Sequence, residues 1–346
     1  MTQATATTQL QTEKLVNEVL STIDRERERE IVARRFGLFD RKETLEQIGE
    51  MLGITRERVR QLEKSVVTKL RTASEQGTLP HIAEFQAQVL EILNDSGEVS
   101  RVSQLTAKLT DEANREEQAR VAFLSQLSPE LAVVQEDDNY YYSVSIKSEY
   151  DEKALKAKVA SLIESIKKIG EPKSIEDIAK AASIADSKQA AALASTSKAL
   201  ATLNGRWGLV KWPMVNPKNI RDKIYVILKE NGKQMHFNEI SAAIKDSDFK
   251  RKDVTTQAIH NELIKDKRFV LIGRGIYALK EWGYEKGTVA DVIADVLRDA
   301  GEPLHRDEIV KRVLQSRFVK ETTILLNLQG KPQFKRVAKA TYTLAE

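Results

Sequence analysis

A chain of 346 residues with no cysteine, 41% hydrophobic residues and 55 basic against 51 acidic side chains has room for several small folded domains, and it excludes disulfides and thiolate metal sites. No apolar run reaches the roughly 18 residues of a membrane span, and the N-terminus lacks the basic-plus-apolar pattern of an export signal, so the expectation is a cytoplasmic protein with no membrane partner. The net charge of +4 is uneven: residues 79–150 carry 5 basic and 13 acidic side chains, net −8, while the segments on either side are mildly basic.

The opening MTQATATTQL is polar and reads as a disordered tail over residues 1–13. Thr44 with Gln47 three residues on forms a capping box, so a helix is expected to start there. Leu45, Ile48 and Leu52 fall on its buried face, and Gly53 breaks it. Thr55 is an N-cap for a second helix, with Val59, Leu62, Val66 and Leu70 as its buried stripe. Outward near its start stand Arg56, Glu57, Arg58, Arg60, Gln61 and Lys64, the side-chain types that pair with base edges and phosphates in a major groove. The plainer alternative is an amphipathic helix pair with a solvated charged face.

TRERVRQLE (55–63) shifts the balance toward DNA, as does LSTIDREREREIVARRFGL (20–38) with its Arg35-Phe36-Gly37-Leu38 end. Residues 14–75 resemble region 4 of bacterial sigma-70 family factors, which reads the −35 promoter element. The resemblance implies base contacts from Arg56, Glu57 and Gln61, and phosphate contacts from Arg27, Arg35, Thr44, Arg58 and Arg60, to which the outward Lys64 is added. It also implies double-stranded DNA and the flap of RNA polymerase core as partners. The family places its promoter-melting region ahead of region 4. Here about 20 residues precede it, without an aromatic-rich segment, so the chain is not expected to open promoter DNA alone.

After residue 80 the chain repeats itself. Gly97, Gly170, Gly232 and Gly301 each follow an amphipathic helix, and a polar–aliphatic pair comes seven and eight residues later: Gln104-Leu105, Asp177-Ile178, Glu239-Ile240 and Glu308-Ile309. Each unit closes in hairpin-like sequence: Leu131 to Tyr142 with Glu136-Asp137-Asp138 at the tip, then residues 204–209, Phe269 to Leu279 and Phe334 to Leu344. Helix, short strand, helix, helix, hairpin is the order of a winged helix. MHFNEI (235–240), LHRDEI (304–309) and RFVLIGRGIYAL (268–279) resemble the HARE-HTH winged helices, as found in the delta subunit of some bacterial RNA polymerases. A solenoid of helix pairs is the rival architecture, and the hairpins argue against it.

The expected fold is therefore mainly α with small β-hairpins: a sigma region 4-type helix-turn-helix followed by about four winged-helix-like units. The expected boundaries are a tail at 1–13, the helix-turn-helix at 14–78, an acidic unit at 79–150, and units at 151–216, 217–285 and 286–346, each with its own small core. Pro213 and Pro217 flank one linker; Gly283 to Gly287 marks another. Arg274 and Lys339, at the last two hairpin tips, are candidate wing contacts to DNA. The acidic tip of the first unit is a candidate protein contact, with a basic polymerase surface as one possible partner.

No phosphate loop, nucleophile elbow, zincin helix or paired-carboxylate pattern is present, so no enzyme, cofactor, metal or small-molecule substrate is expected. His81, His236, His260 and His305 are scattered, and His236 and His305 read as structural residues beside their helices. Trp207, Trp212 and Trp282 read as local core. The leading expectation is a sequence-specific, nucleoid-associated transcription factor of sigma-like type. The rivals are a protein-interaction scaffold anchored on polymerase, and a partial sigma subunit whose partner melts the promoter.

Overall fold

The computed structural model describes residues 10–284, 287–317 and 319–345. The chain divides into two compact units, at Val210 and Lys211. The first opens with α1 (Thr12–Ser21), α2 (Glu26–Phe36), α3 (Leu45–Leu52) and α4 (Arg56–Glu75). Residues 1–9 of the expected tail lie outside the described residues, and α1 already starts at Thr12, whose side chain is buried. The stretch 20–38 is not one helix. The Thr22 hydroxyl donates to the Val19 carbonyl at 2.7 Å, closing α1, and α2 starts only after Arg25.

The helix-turn-helix forms for local reasons. Thr44 Oγ1 accepts from the Gln47 N–H at 3.3 Å while Gln47 Oε1 accepts from the Thr44 N–H at 2.9 Å, the expected capping box. Gly53 ends α3 in the left-handed conformation (φ 63°), and Thr55 caps α4 by accepting from the Arg58 N–H at 3.2 Å. Ile31, Ile48 and Val59 are fully buried and form a small core with Leu45, Leu52, Ile54 and Leu62. The turn lies tight against α3: a Cβ on Gly49 would stand 2.7 Å from the Ile54 carbonyl oxygen. Alanine normally gains ~0.5–1 kcal/mol over glycine inside a helix. Overpacking against fixed backbone costs ~1–3 kcal/mol. Gly49→Ala is therefore expected to lower the urea midpoint; a higher midpoint would show that the turn can move aside.

Two winged-helix units complete the first compact unit. One contains α5 (Ile82–Ser96), β1 (Val99–Arg101), α6 (Val102–Leu109), α7 (Arg115–Leu127), β2 (Leu131–Val134) and β3 (Ser143–Ile146). The other contains α8 (Glu152–Ile169), β4 (Lys173–Ser174), α9 (Ile175–Ala181), α10 (Ser187–Thr196), β5 (Leu200–Leu203) and β6 (Arg206–Leu209). In each, the short strand pairs with the outgoing strand of the hairpin, giving the antiparallel orders β1-β3-β2 and β4-β6-β5. The repeat glycines Gly97 and Gly170 are left-handed caps of α5 and α8, and the aliphatics that follow, Leu105 and Ile178, are buried. The first hairpin returns later than expected. Its outgoing strand starts at Ser143, so Tyr140, Tyr141 and Tyr142 lie in the connection.

The helix-turn-helix and the first of these units do not keep wholly separate cores, contrary to expectation, although Ile31, Ile48 and Val59 stay a cluster of their own. One continuous apolar cluster runs from Val16 through Val32, Leu38, Val66 and Leu70 to Phe85, Phe123 and Ile146. The third helix of the first winged unit, α7, supplies the seam. Phe123 is fully buried and packs against Phe36 with ring centroids 4.9 Å apart and the ring planes tilted by 57°. Arg120, 8% exposed, donates to the Leu38 carbonyl at 2.8 Å and pairs with Glu117 at 2.6 Å and Glu13 at 3.1 Å. One guanidinium thus ties α1, the end of α2 and α7 together.

The two winged units join through α10. Arg101 donates to the Ser195 carbonyl, the Tyr141 N–H donates to Thr196 at 2.8 Å, and Gln189 Nε2 donates to Glu98 at 2.6 Å. The acidic tip also faces this neighbour: Glu136 pairs with Lys198 at 2.8 Å and Asp137 with Lys156 at 3.6 Å. Two of the tip's three acids are thus paired with lysines of the following unit.

The second compact unit holds two further winged-helix-like units. The third repeat comprises α11 (Ile220–Asn231), β7 (Met235–His236), α12 (Phe237–Asp246), α13 (Thr256–Lys265), β8 (Phe269–Gly273) and β9 (Ile276–Leu279). The fourth comprises α14 (Val289–Ala300), β10 (Leu304–His305), α15 (Arg306–Ser316), α16 (Glu321–Gly330), β11 (Phe334–Ala338) and β12 (Thr341–Leu344). Their sheets repeat the order and even the register: Leu271 faces Tyr277 as Arg336 faces Tyr342, with a bulge at the next residue in both. His236 and His305 occupy the N-cap positions of α12 and α15, where Nδ1 accepts from the N–H two residues on. Tyr277 and Tyr342 point into their cores, and the three tryptophans are half-buried. The expected linker at 283–287 lies partly outside the described residues.

Candidate nucleic-acid interface

The N-terminal half of α4 presents Arg56, Glu57, Arg58, Arg60, Gln61 and Lys64 to solvent while Val59 is buried beneath them. Four of these side chains are linked to one another. Arg60 grips Glu57 through Nε at 2.8 Å and a terminal nitrogen at 2.6 Å. Gln61 Nε2 donates to the same carboxylate at 3.3 Å, and Arg58 donates to Gln61 Oε1 at 3.5 Å. Glu57 is the hub: it fixes one guanidinium and one amide on a free helix face. Arg56 reaches the other way, to Glu46 on α3 at 2.7 Å. An exposed pair of this kind contributes ~0–1 kcal/mol, less than the ~1–3 kcal/mol of a bidentate base contact, so it yields readily to a guanine.

The Arg60 guanidinium, before any other neighbour, holds the Glu57 carboxyl far below the usual range, at about 2. The pairing is thus present above the ordinary carboxylate pKa and is lost only as pH falls through about 2, so the hub stays ionised at any physiological pH. Arg60→Ala is expected to move the Glu57 midpoint up toward roughly 4.3 in a carboxyl-resolved NMR titration. An unchanged midpoint would mean that another group holds the charge.

The expected phosphate residues divide into two groups. Arg58, Arg60 and Lys64 are exposed on α4. Thr44 Oγ1 accepts at the start of α3 and keeps its hydroxyl hydrogen to donate. Arg27 instead donates to the Leu52 carbonyl at the end of α3, and half-buried Arg35 bridges Glu63 at 3.3 Å and the Glu43 carbonyl at 3.3 Å. Both brace the helix-turn-helix as built. Close to Arg35, partial desolvation lowers the Lys42 ammonium from its usual value; the Arg35 charge adds to this and Glu63 opposes it. Arg274 and Lys339 are exposed at the tips of their hairpins. The reading of the sequence missed Arg120 and the burial of α7. The available signal was the unbroken run Val121-Ala122-Phe123-Leu124, since a helix apolar on all sides is covered on all sides.

Comparison with known proteins fits this geometry. Residues 25–72 match the family described as Sigma-70, region 4. The helix-turn-helix is of the sigma region 4 type. The chain is 47% identical over 64 residues to the RNA polymerase sigma factor RpoD of Helicobacter pylori, covering 17% of this chain and 10% of that protein. It is 43% identical over 70 residues to the sigma factor SigA of a Bacillus species, covering 20% and 18%. Over 46 residues it is 52% identical to the sigma factor sigB of Arabidopsis thaliana, covering 13% and 8%. The chain thus spans less than a fifth of the length of these relatives, and the likeness concerns the helix-turn-helix. Among the described residues, no helix is long and apolar enough to cross a membrane.

Proposed function

We propose that this chain is a sigma-like DNA-binding transcription factor that reads −35-type promoter DNA through the helix-turn-helix. Arg56, Glu57 and Gln61 face the bases, Thr44, Arg58, Arg60 and Lys64 hold phosphates, and Arg27 and Arg35 reach phosphates by exchanging their contacts to the Leu52 carbonyl and to Glu63. The observation that carries this reading is the linked polar row on α4, set at the capped start of a helix in a region 4-type fold. The same domain docks on the flap of RNA polymerase, and the protein acts in the cytoplasm on the nucleoid. The winged helices of the second compact unit, HARE-HTH-like in sequence, add contacts through Arg274 and Lys339. Segment boundaries near 78, 150, 216 and 285 remain the working division, with the helix-turn-helix and the acidic unit sharing one core.

The test is equilibrium binding of the full chain to duplexes with and without a −35 element at physiological salt. A preference of ~10-fold or more is expected, the worth of one good bidentate base contact. Equal affinity for both duplexes would overturn the reading. A scaffold role has one supporting observation: the third helices α7 and α10, which enter the groove in DNA-binding winged helices, are taken up here by packing within the chain. Retention of core polymerase by the full chain, without promoter preference, would favour it.

A further inference from the structure

A cleft of about 840 Å³ lies between the loop at 37–42 and the first winged unit. Arg41 and Lys42 line it from the loop, Arg115 from the start of α7, and Arg101 and Tyr141 from the unit's sheet side. The Arg101 guanidinium lies 3.8 Å from the centre of the Tyr141 ring. Arg41, Lys42 and Arg115 are exposed, and among the described residues they enter no ion pair.

Of the acids on the cleft, Glu136 is ion-paired with Lys198, while Asp40, which accepts from the Arg41 backbone N–H at 2.7 Å, and Glu116 remain as competing charges against four cationic side chains. The net −8 of residues 79–150 therefore does not describe this face. The acidic tip is tied to lysines of the second winged unit, while the cations stay open.

Position matters as much as charge. The loop runs directly into Thr44, the N-cap of α3, where a helix-turn-helix meets the DNA backbone. Arg115 is the first residue of α7, the end of a winged-helix third helix that approaches DNA, and it remains exposed although residues 120–125 and 127 of that helix are buried. We propose that this cleft is a second, sequence-independent DNA contact: Arg41, Lys42 and Arg115 take phosphates of the same duplex beyond the bases read by α4.

The proposal rests on the promoter-reading function, and its test separates the two. The full chain carrying Lys42→Ala and Arg115→Ala is titrated with a long duplex holding a −35 element, and with a short one trimmed to that element, over a range of salt. On the long duplex the slope of log K against log salt should fall by roughly 1.8, about 0.9 for each lost phosphate contact. Affinity should drop ~10-fold at moderate salt, while the preference for the element over scrambled DNA and the affinity for the short duplex stay as in the wild type. Restoring charge with Lys42→Arg and Arg115→Lys should restore the slope. An unchanged slope on the long duplex, with Arg58→Ala still lowering it, would overturn the second contact and leave the reader standing. Absence of DNA binding by the wild type would overturn both.

Discussion

Phe123→Ala is expected to destabilise the helix-turn-helix and the first winged unit together, by ~3–5 kcal/mol, the usual cost of emptying a fully buried phenylalanine site. The ring stands between two parts of the chain that the sequence separates by more than 80 residues. On one side it meets Phe36, the last residue of α2; on the other it shares a cluster with Phe85, Leu105 and Val144. Removing it opens a cavity at the seam rather than within one module. Amide hydrogen exchange is the discriminating measurement. Protection in α2, α4 and α5 should fall in step, because all three rest on the same cluster. If α5 alone lost protection while α2 and α4 kept theirs, the seam would be a contact between independently stable parts.

What was legible in the sequence was local. The Thr44–Gln47 box, the Thr55 cap and the Gly53 break involve residues three or fewer positions apart, and each forms as the spacing implies. The repeat glycines were equally readable, since a left-handed cap is chemistry that glycine accommodates best. Long-range packing was not legible. Nothing near Arg120 announces that it binds the Leu38 carbonyl 82 positions away, and a charge count over 79–150 could not show that Glu136 and Asp137 meet Lys198 and Lys156. The docking of α10 was equally hidden: a Cβ on Gly97 would stand 2.8 Å from the Lys188 carbonyl oxygen, so the bare glycine is what lets the two backbones meet. For the interface, the residue types on α4 were readable but their linkage was not, because hydrogen bonds among four exposed side chains depend on rotamers.

That linkage sets the sign of the remaining prediction. Glu57→Ala should weaken binding to a −35-type duplex by ~1–3 kcal/mol, about 10- to 100-fold, while binding to random DNA stays level or strengthens. The specific loss has two sources. In the proposed complex the carboxylate itself accepts from a cytosine amino group, and it also orients Arg60 and Gln61, the amide being held from its other end by Arg58. The gain on random DNA follows from charge alone. Deleting the hub removes an anion that stays ionised down to pH about 2 and frees a guanidinium to sit on any phosphate. Glu57→Gln separates the two sources: it keeps an acceptor for Arg60 but loses the charge, so it should retain more specificity than alanine. Arg58→Ala, by contrast, should weaken both duplexes alike. A Glu57→Ala protein that lost equal affinity for both duplexes would show that Glu57 braces the helix rather than reading a base.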